Sequence, residues 1–361
     1  MKVNKILENL RRKISSQKQQ SNGSLEKDKE KMGMGNGEDK TPKGNGYSEK
    51  DLLEDMPTLR EVVDPEKKRT LLIKKIDLCG IIFDFTKANN VFVINKKNEK
   101  EKSHQLARNN KRQYLIELVE HAGQSKQWCS EEVMPHAVEM LSTNLFRALP
   151  PPMYADFDPE EDEPNFDPAW PHVQFVYEFF HKFVMTTDVK LLVKHMTKEF
   201  LAHTVDLFNS EDPREREYVK MILHRIYGRC MKSRCFIRRT IHQALLLVIY
   251  DNVRHNGISE LLEILGSIIN GFAVPLKKEH VHFLRQVLIP LHKIPTLSQF
   301  HQQLAYCVTQ FIQKDASLAG DVLSGMLKFW PVKSCQKEIL FLSELEEVLE
   351  LTATPQIESV I

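Results

Sequence analysis

The sequence predicts an all-α chain whose helices pair into hairpins and stack as a curved repeat solenoid. Three observations predict it. Apolar residues recur at spacings of 3, 4 or 7 nearly throughout, and none sustains the alternation of a strand. The helical pairs also return with a period of roughly forty residues, that of HEAT-like or armadillo-type arrays. No single hairpin of such an array hides its own apolar stripe; stacking on its neighbours does so.

Residues 1–54 read as a disordered tail rich in Lys, Gly and Ser, with glycines at 33, 35, 37, 44 and 46 opposing a helix. Val3, Ile6, Leu10 and Ile14 keep helical spacing among basic residues, which would suit a partner or an anionic membrane surface. One thin stripe buries little, so a solvated arm is the better reading.

The array is expected over 55–352. Leu71, Leu72, Ile76, Cys79, Ile82 and Phe83 mark a first helix, and Tyr114, Leu115, Leu118 and Val119 a second. Between them the Lys/Asn-rich stretch 89–110 reads as an inserted polar loop. Val133, Ala137, Met140, Leu141 and Leu145 follow, ended by Pro150-Pro151-Pro152. An acidic loop is expected near 154–168. It lacks the glycine turn and closing glutamate of a calcium loop, so a solvated or partner-facing loop is favoured over a metal site. After Trp170, an aromatic face (Val173, Val176, Tyr177, Phe179, Phe180, Phe183) opens a rapid series of helices. Hairpins are expected to begin near Glu199, Arg234, Lys277 and Ser317, with 353–361 a short tail.

Composition excludes several functions. A chain of 361 residues with net charge +1 is no general polyanion binder, so no nucleic-acid partner is expected. It contains no run of eighteen apolar residues, hence no expected membrane span, and its start lacks a secretory core. The six cysteines form no Cys-x-x-Cys pair and read as reduced thiols of a cytoplasmic or nuclear protein; Cys230 and Cys235 have the wrong spacing for zinc.

Chemistry is sparse. Gly266 and Gly271 lack the lysine of a phosphate loop. Glu279, His280 and His282 would need a further ligand to hold a metal, and capping histidines are commoner. No Gly-x-Ser-x-Gly or His-Glu-x-x-His pattern occurs. Neither catalysis nor a cofactor or metal is expected.

One face stands out. Lys220, His224 and Tyr227 stack at i, i+4 and i+7, with Arg225 beside them, on a helix opened by Asp212-Pro213. Leu223, Ile226 and Ile222 lie on or near the opposite stripe. A solvated polar face is the commoner meaning of such a pattern; an acidic ligand is the sharper one, since arginine forks suit carboxylate and phosphate.

The strings Leu207-Phe208-Asn209-Ser210-Glu211-Asp212-Pro213-Arg214-Glu215-Arg216, Leu223-His224-Arg225-Ile226-Tyr227-Gly228, Glu260-Leu261-Leu262-Glu263-Ile264-Leu265-Gly266-Ser267-Ile268-Ile269-Asn270-Gly271 and Gln303-Leu304-Ala305-Tyr306-Cys307-Val308 closely resemble regulatory subunits of protein phosphatase 2A of the B-prime class, over roughly 55–352. The resemblance implies a non-catalytic subunit that joins a scaffold and a catalytic subunit. It further implies recruitment of phosphoprotein substrates and regulators through a groove for acidic Leu-x-x-Ile-x-Glu motifs. Carried over by position, the groove residues are Lys220, His224, Arg225, Tyr227, Arg234, Ile264, Ile268, Lys277 and His280.

Ile264 and Ile268 share a face, for which plain core packing is the stronger reading of the residues alone; the resemblance instead implies an apolar pocket for the peptide, contributing on the order of 3–5 kcal/mol before ordering costs, hence micromolar affinity. Arg225→Glu, or Ile264→Ala with Ile268→Ala, is expected to abolish binding without unfolding the chain. Family members continue for several helices beyond the segment matching Leu340 to Leu351, so an uncovered apolar face is expected on the last hairpin. The alternative is a scaffold or adaptor that binds partners without assembling a full phosphatase holoenzyme.

Overall fold

The structure, a computed structural model, describes residues 47–85, 99–124, 128–149 and 163–352. Its regular elements there are helices: α1 (Pro65–Cys79), α2 (Glu99–Gln124), α3 (Val133–Leu145), α4 (Trp170–Thr186), α5 (Val189–His195), α6 (Lys198–Asp206), α7 (Pro213–Arg229), α8 (Arg234–Asp251) and α9 (Ile258–Asn270). Next comes α10, running 278–291 through a π-helical turn at Leu284–Leu288. α11 (His301–Lys314), α12 (Ala319–Lys328) and α13 (Cys335–Glu350) complete the order.

Local chemistry sets the boundaries. Asp64, Asp188, Thr197, Asp212 and Ser334 each accept from a first-turn amide of the helix that follows, and Pro65 and Pro213 occupy first positions where no donor is needed. α8 stops at Asn252, whose left-handed backbone (φ 52°) closes the last turn.

The helices form two rows. α1, α3, α5 with α6, α8, α10 and α12 follow one another in the first; α2, α4, α7, α9, α11 and α13 do so in the second. Within each hairpin a first-row helix packs on its second-row partner, and the core runs continuously between the rows. This is a helical-repeat solenoid. The later hairpins open at Lys198, Arg234, Lys278 and Ala319, within two residues of the expected starts. Gly266 shows how closely successive helices of the second row pack: a Cβ there would lie 2.8 Å from the ring of Tyr306 on α11.

Three expectations need correction. The inserted loop at 89–110 is helical from Glu99 onward; 86–98 lie outside the described residues. Its stripe was hidden because Lys111, an apolar position by spacing, is buried. Its ammonium donates to Ile81 O (2.6 Å) and Asn144 Oδ1 (2.7 Å), and burial pushes its pKa down to about 8. Arg108 beside it lies over the Phe83 and Phe85 rings.

The tail ends earlier than residue 54. Leu52 is buried, and its carbonyl accepts from Asn110 Nδ2. Residues 1–46, the Val3–Ile14 stripe and the tail 353–361 lie outside the described residues, as does most of the expected acidic loop.

At that loop's described end Glu163, Phe166 and Pro168 are exposed, but one carboxylate, Asp167, is drawn inward. Asp167 bonds Arg147, whose guanidinium also bonds the buried carboxylate of Glu215 at 2.9 and 3.0 Å; Tyr177 and Ser210 complete the shell of Glu215. On α13, Ile339, Leu342 and Leu349 are exposed.

Candidate functional site

The second-row helices α7 and α9 are cross-braced by three successive rungs. Arg216 Nε donates to Glu260 at 2.7 Å, Lys220 Nζ donates to Glu263 at 2.6 Å, and His224 Nε2 lies 3.0 Å from Ser267 Oγ. The α7 members are spaced by four and the α9 members by three and four, so each rung advances one turn on both helices. Lys220 also meets Glu217 at 2.7 Å. Burial works against its charge, but bonds to the two carboxylates outweigh it and hold its pKa above the ordinary value.

At the carboxyl end of α7 the chain turns into α8 around Tyr227. Arg234 donates to the Tyr227 and Gly228 carbonyls at 2.8 and 3.1 Å, with its guanidinium 5.2 Å from the Tyr227 ring centre. Arg238, one turn further, donates to Tyr227 Oη at 3.0 Å. Tyr227 and Arg234 are therefore brought together, fixed by neighbours before any ligand arrives.

The other candidates disperse. Arg225 is exposed on the side of α7 toward α4: burial first, then the charges of Lys182 and Arg225, lowers the pKa of His181 on α4. Lys277 is exposed where the backbone enters α10, and its carbonyl accepts from the His280 amide. His280 lies flat on Phe272, ring centres 3.7 Å apart, and burial lowers its pKa, so the ring is neutral near pH 7.

Ile264 and Ile268 line no open pocket in this structure. They are 2% and 5% exposed and belong to the core. Apolar spacing identified them as buried-type residues but not as lining a cleft.

Several residues went unread in the sequence. Glu260, Glu263 and Ser267 complete the cross-brace, and their spacing, matched to 216, 220 and 224 one repeat earlier, was a usable signal. Arg238 had none, because its partner is a hydroxyl one turn back on another helix. Among the described residues no group of three or more His, Cys, Asp or Glu could hold a metal, and no helix is long and apolar enough to cross a membrane.

Stacked hairpins with a polar, cross-braced face and a preset tyrosine–arginine corner define a helical-repeat protein that presents a surface to partners. Residues 56–361 match the model of the family described as protein phosphatase 2A regulatory B subunit (B56 family). The B' eta isoform of the 59 kDa regulatory subunit from Arabidopsis thaliana is 47% identical over 312 residues, covering 84% of this chain and 58% of the relative. The beta isoform of the human 56 kDa regulatory subunit is 46% identical over 306 residues, covering 84% and 59%. Computationally designed armadillo repeat proteins align at 12% identity over 78% of this chain and 100% of theirs, a likeness that at a TM-score of 0.37 adds nothing.

The chain belongs to the B56 family of protein phosphatase 2A regulatory subunits, a family of regulators rather than catalysts. It spans somewhat under three fifths of the length of those two relatives.

Proposed function

We propose that the chain is a non-catalytic targeting subunit that engages the scaffold and catalytic subunits of protein phosphatase 2A, in cytoplasm or nucleus, and directs serine/threonine dephosphorylation. Its substrates and regulators are phosphoproteins bearing acidic Leu-x-x-Ile-x-Glu motifs. The observation that carries this reading is the family match running through the same helices, α7 to α10, that hold the nine candidate residues.

In this reading the cross-braced face is the docking surface in its closed state. The rungs at Lys220 and His224 end on Glu263 and Ser267, each next in sequence to one of the buried residues Ile264 and Ile268. An acidic peptide would compete with Glu263 for Lys220, loosen these rungs and bring its apolar side chains against the two isoleucines. Exchanging one ion pair for another costs little at a half-exposed site, so micromolar affinity that weakens with salt is expected.

The test is co-purification of the tagged full chain from cells. Recovery of scaffold and catalytic subunits supports the targeting role; other partners without them would make the chain a scaffold or adaptor. The docking surface is tested by titrating a fluorescent acidic Leu-x-x-Ile-x-Glu peptide against wild type and Arg225→Glu, Tyr227→Ala and Arg234→Ala variants. Unchanged affinity in all three would remove it. The pair Ile264→Ala and Ile268→Ala is a poor probe, because each truncation leaves a core cavity costing about 2–5 kcal/mol.

A further inference from the structure

The cleft between α8, α9 and α10 contains a cavity of about 160 Å³ with Cys235, Arg238, Arg239, His242, Phe272 and His280 on its walls. We propose that Cys235 is a site of mixed-disulfide formation with a small anionic thiol of the glutathione class, seated in this cavity by Arg238 and Arg239.

The six cysteines divide sharply. Cys79, Cys129, Cys230 and Cys307 are buried, and burial pushes the thiols of Cys79, Cys129 and Cys307 up to about 12, which leaves them without thiolate. Cys235 and Cys335 are exposed, each in the first turn of a helix. They differ in what stands one turn on: Arg238 and Arg239 follow Cys235, whereas Glu338 and Ile339 follow Cys335. Lys333 and Lys337 also flank Cys335, but Glu338 stands among them, so an anionic disulfide is drawn more strongly to the first than to the second.

The cavity has the complement of such a ligand. Arg239 is exposed and has no acid partner among the described residues, leaving its fork for a carboxylate. Glu279 at the rim, 3.7 Å from Arg238, can meet the ligand's ammonium group. His280 forms part of the wall, and its Nδ1 is buried with no hydrogen-bond partner, so a ligand in the cavity would reach that nitrogen only by a shift of the ring. The Phe272 ring supplies apolar contact.

The step is thiol–disulfide exchange. The Cys235 thiol loses its proton to solvent, and the thiolate attacks one sulfur of the oxidised ligand. A new S–S bond forms to Cys235, the ligand's own S–S bond breaks, and the second sulfur leaves with the electron pair as a thiolate. Cys235 is oxidised as the departing half is reduced, so no further oxidant is needed. The adduct would lie against Arg238, which holds Tyr227, and beside His280. A consequent loss of peptide affinity rests on the docking reading; the adduct itself does not.

The full chain is incubated with oxidised glutathione, quenched with acid and mapped by mass spectrometry. Cys235 should be modified about tenfold faster than Cys335, the scale of local electrostatic enrichment in a charged cleft. The preference should fall away with hydroxyethyl disulfide, which is uncharged, and in Arg239→Gln, whose exposed side chain holds nothing in place. Modification of Cys335 as fast as Cys235 would overturn the proposal, as would a Cys235 preference that survives both the neutral disulfide and Arg239→Gln.

Discussion

Two regions tie neighbouring repeats with charged side chains, and they do so at opposite depths. Two rungs of the α7–α9 brace lie toward the surface, with the side chain of Glu263 40% exposed and His224 exposed, whereas the Arg216–Glu260 rung is mostly buried. The cluster joining α10, α11 and α13 is sealed. Glu344 accepts from His292 Nε2 at 3.1 Å and His301 Nε2 at 2.8 Å, and the Glu344 and His292 side chains are wholly buried. His292 Nδ1 also points at Ile289 O, 2.9 Å away, so both of its nitrogens donate and the ring is a cation.

The difference teaches which contacts hold the array and which are free to change. A buried charge left without its partner costs several kcal/mol, whereas a surface pair contributes about 0–1 kcal/mol. The sealed clusters therefore fix the stacking, and the exposed brace can rearrange around a ligand without loosening the fold.

The largest effect should come from the other sealed cluster. Glu215→Ala takes the acceptor from the Tyr177 and Ser210 hydroxyls and leaves Arg147 with Asp167 as its one carboxylate, and should cost about 3 kcal/mol, read as a lowered denaturant midpoint. A loss below about 1 kcal/mol, the scale of a surface pair, would erase the distinction between sealed and open ties.

A smaller effect is a dependence on pH. Burial opposes the His292 cation, but Glu344 outweighs it and raises the pKa above 6.5. Its stabilisation is complete below 6.5 and is lost as pH rises through the folded value. For Glu344, burial again opposes the charge, and the two histidines bring its pKa down to about 2. Its contribution is present above 4.5 and disappears as pH falls toward 2. Stability should decline on both sides of the neutral range, and His292→Gln should flatten the alkaline limb. Thermal melts across pH would show it; an unchanged alkaline limb would refute the assignment of charge.

The smallest effect belongs to the brace. Ser267→Ala should change stability by under about 0.5 kcal/mol, because the rung is exposed, while measurably altering peptide affinity. A large fall in stability would make the brace structural.

Much of this was legible in the residues. The hairpin starts followed from apolar spacing and capping residues such as Asp212-Pro213. The first half of α2 did not, because a lysine and an arginine occupy its inward side, and periodicity cannot tell a buried, bonded ammonium from a solvated one. Tyr227 and Arg234 were named together through the family resemblance, and the short turn between their helices is what brings them into contact. For Ile264 and Ile268 spacing favoured core packing, which their burial matches, and the pocket came from the resemblance; spacing reports an apolar side without saying whether a neighbouring helix covers it.

Hydrogen–deuterium exchange on the full chain, with and without a saturating acidic Leu-x-x-Ile-x-Glu peptide, tests the central claim most directly. The account predicts altered protection confined to α7, the start of α8 and α9, with α10, α11 and α13 unchanged around Glu344. Changes centred on the sealed clusters, or none along the α7–α9 brace when the peptide is bound, would contradict it.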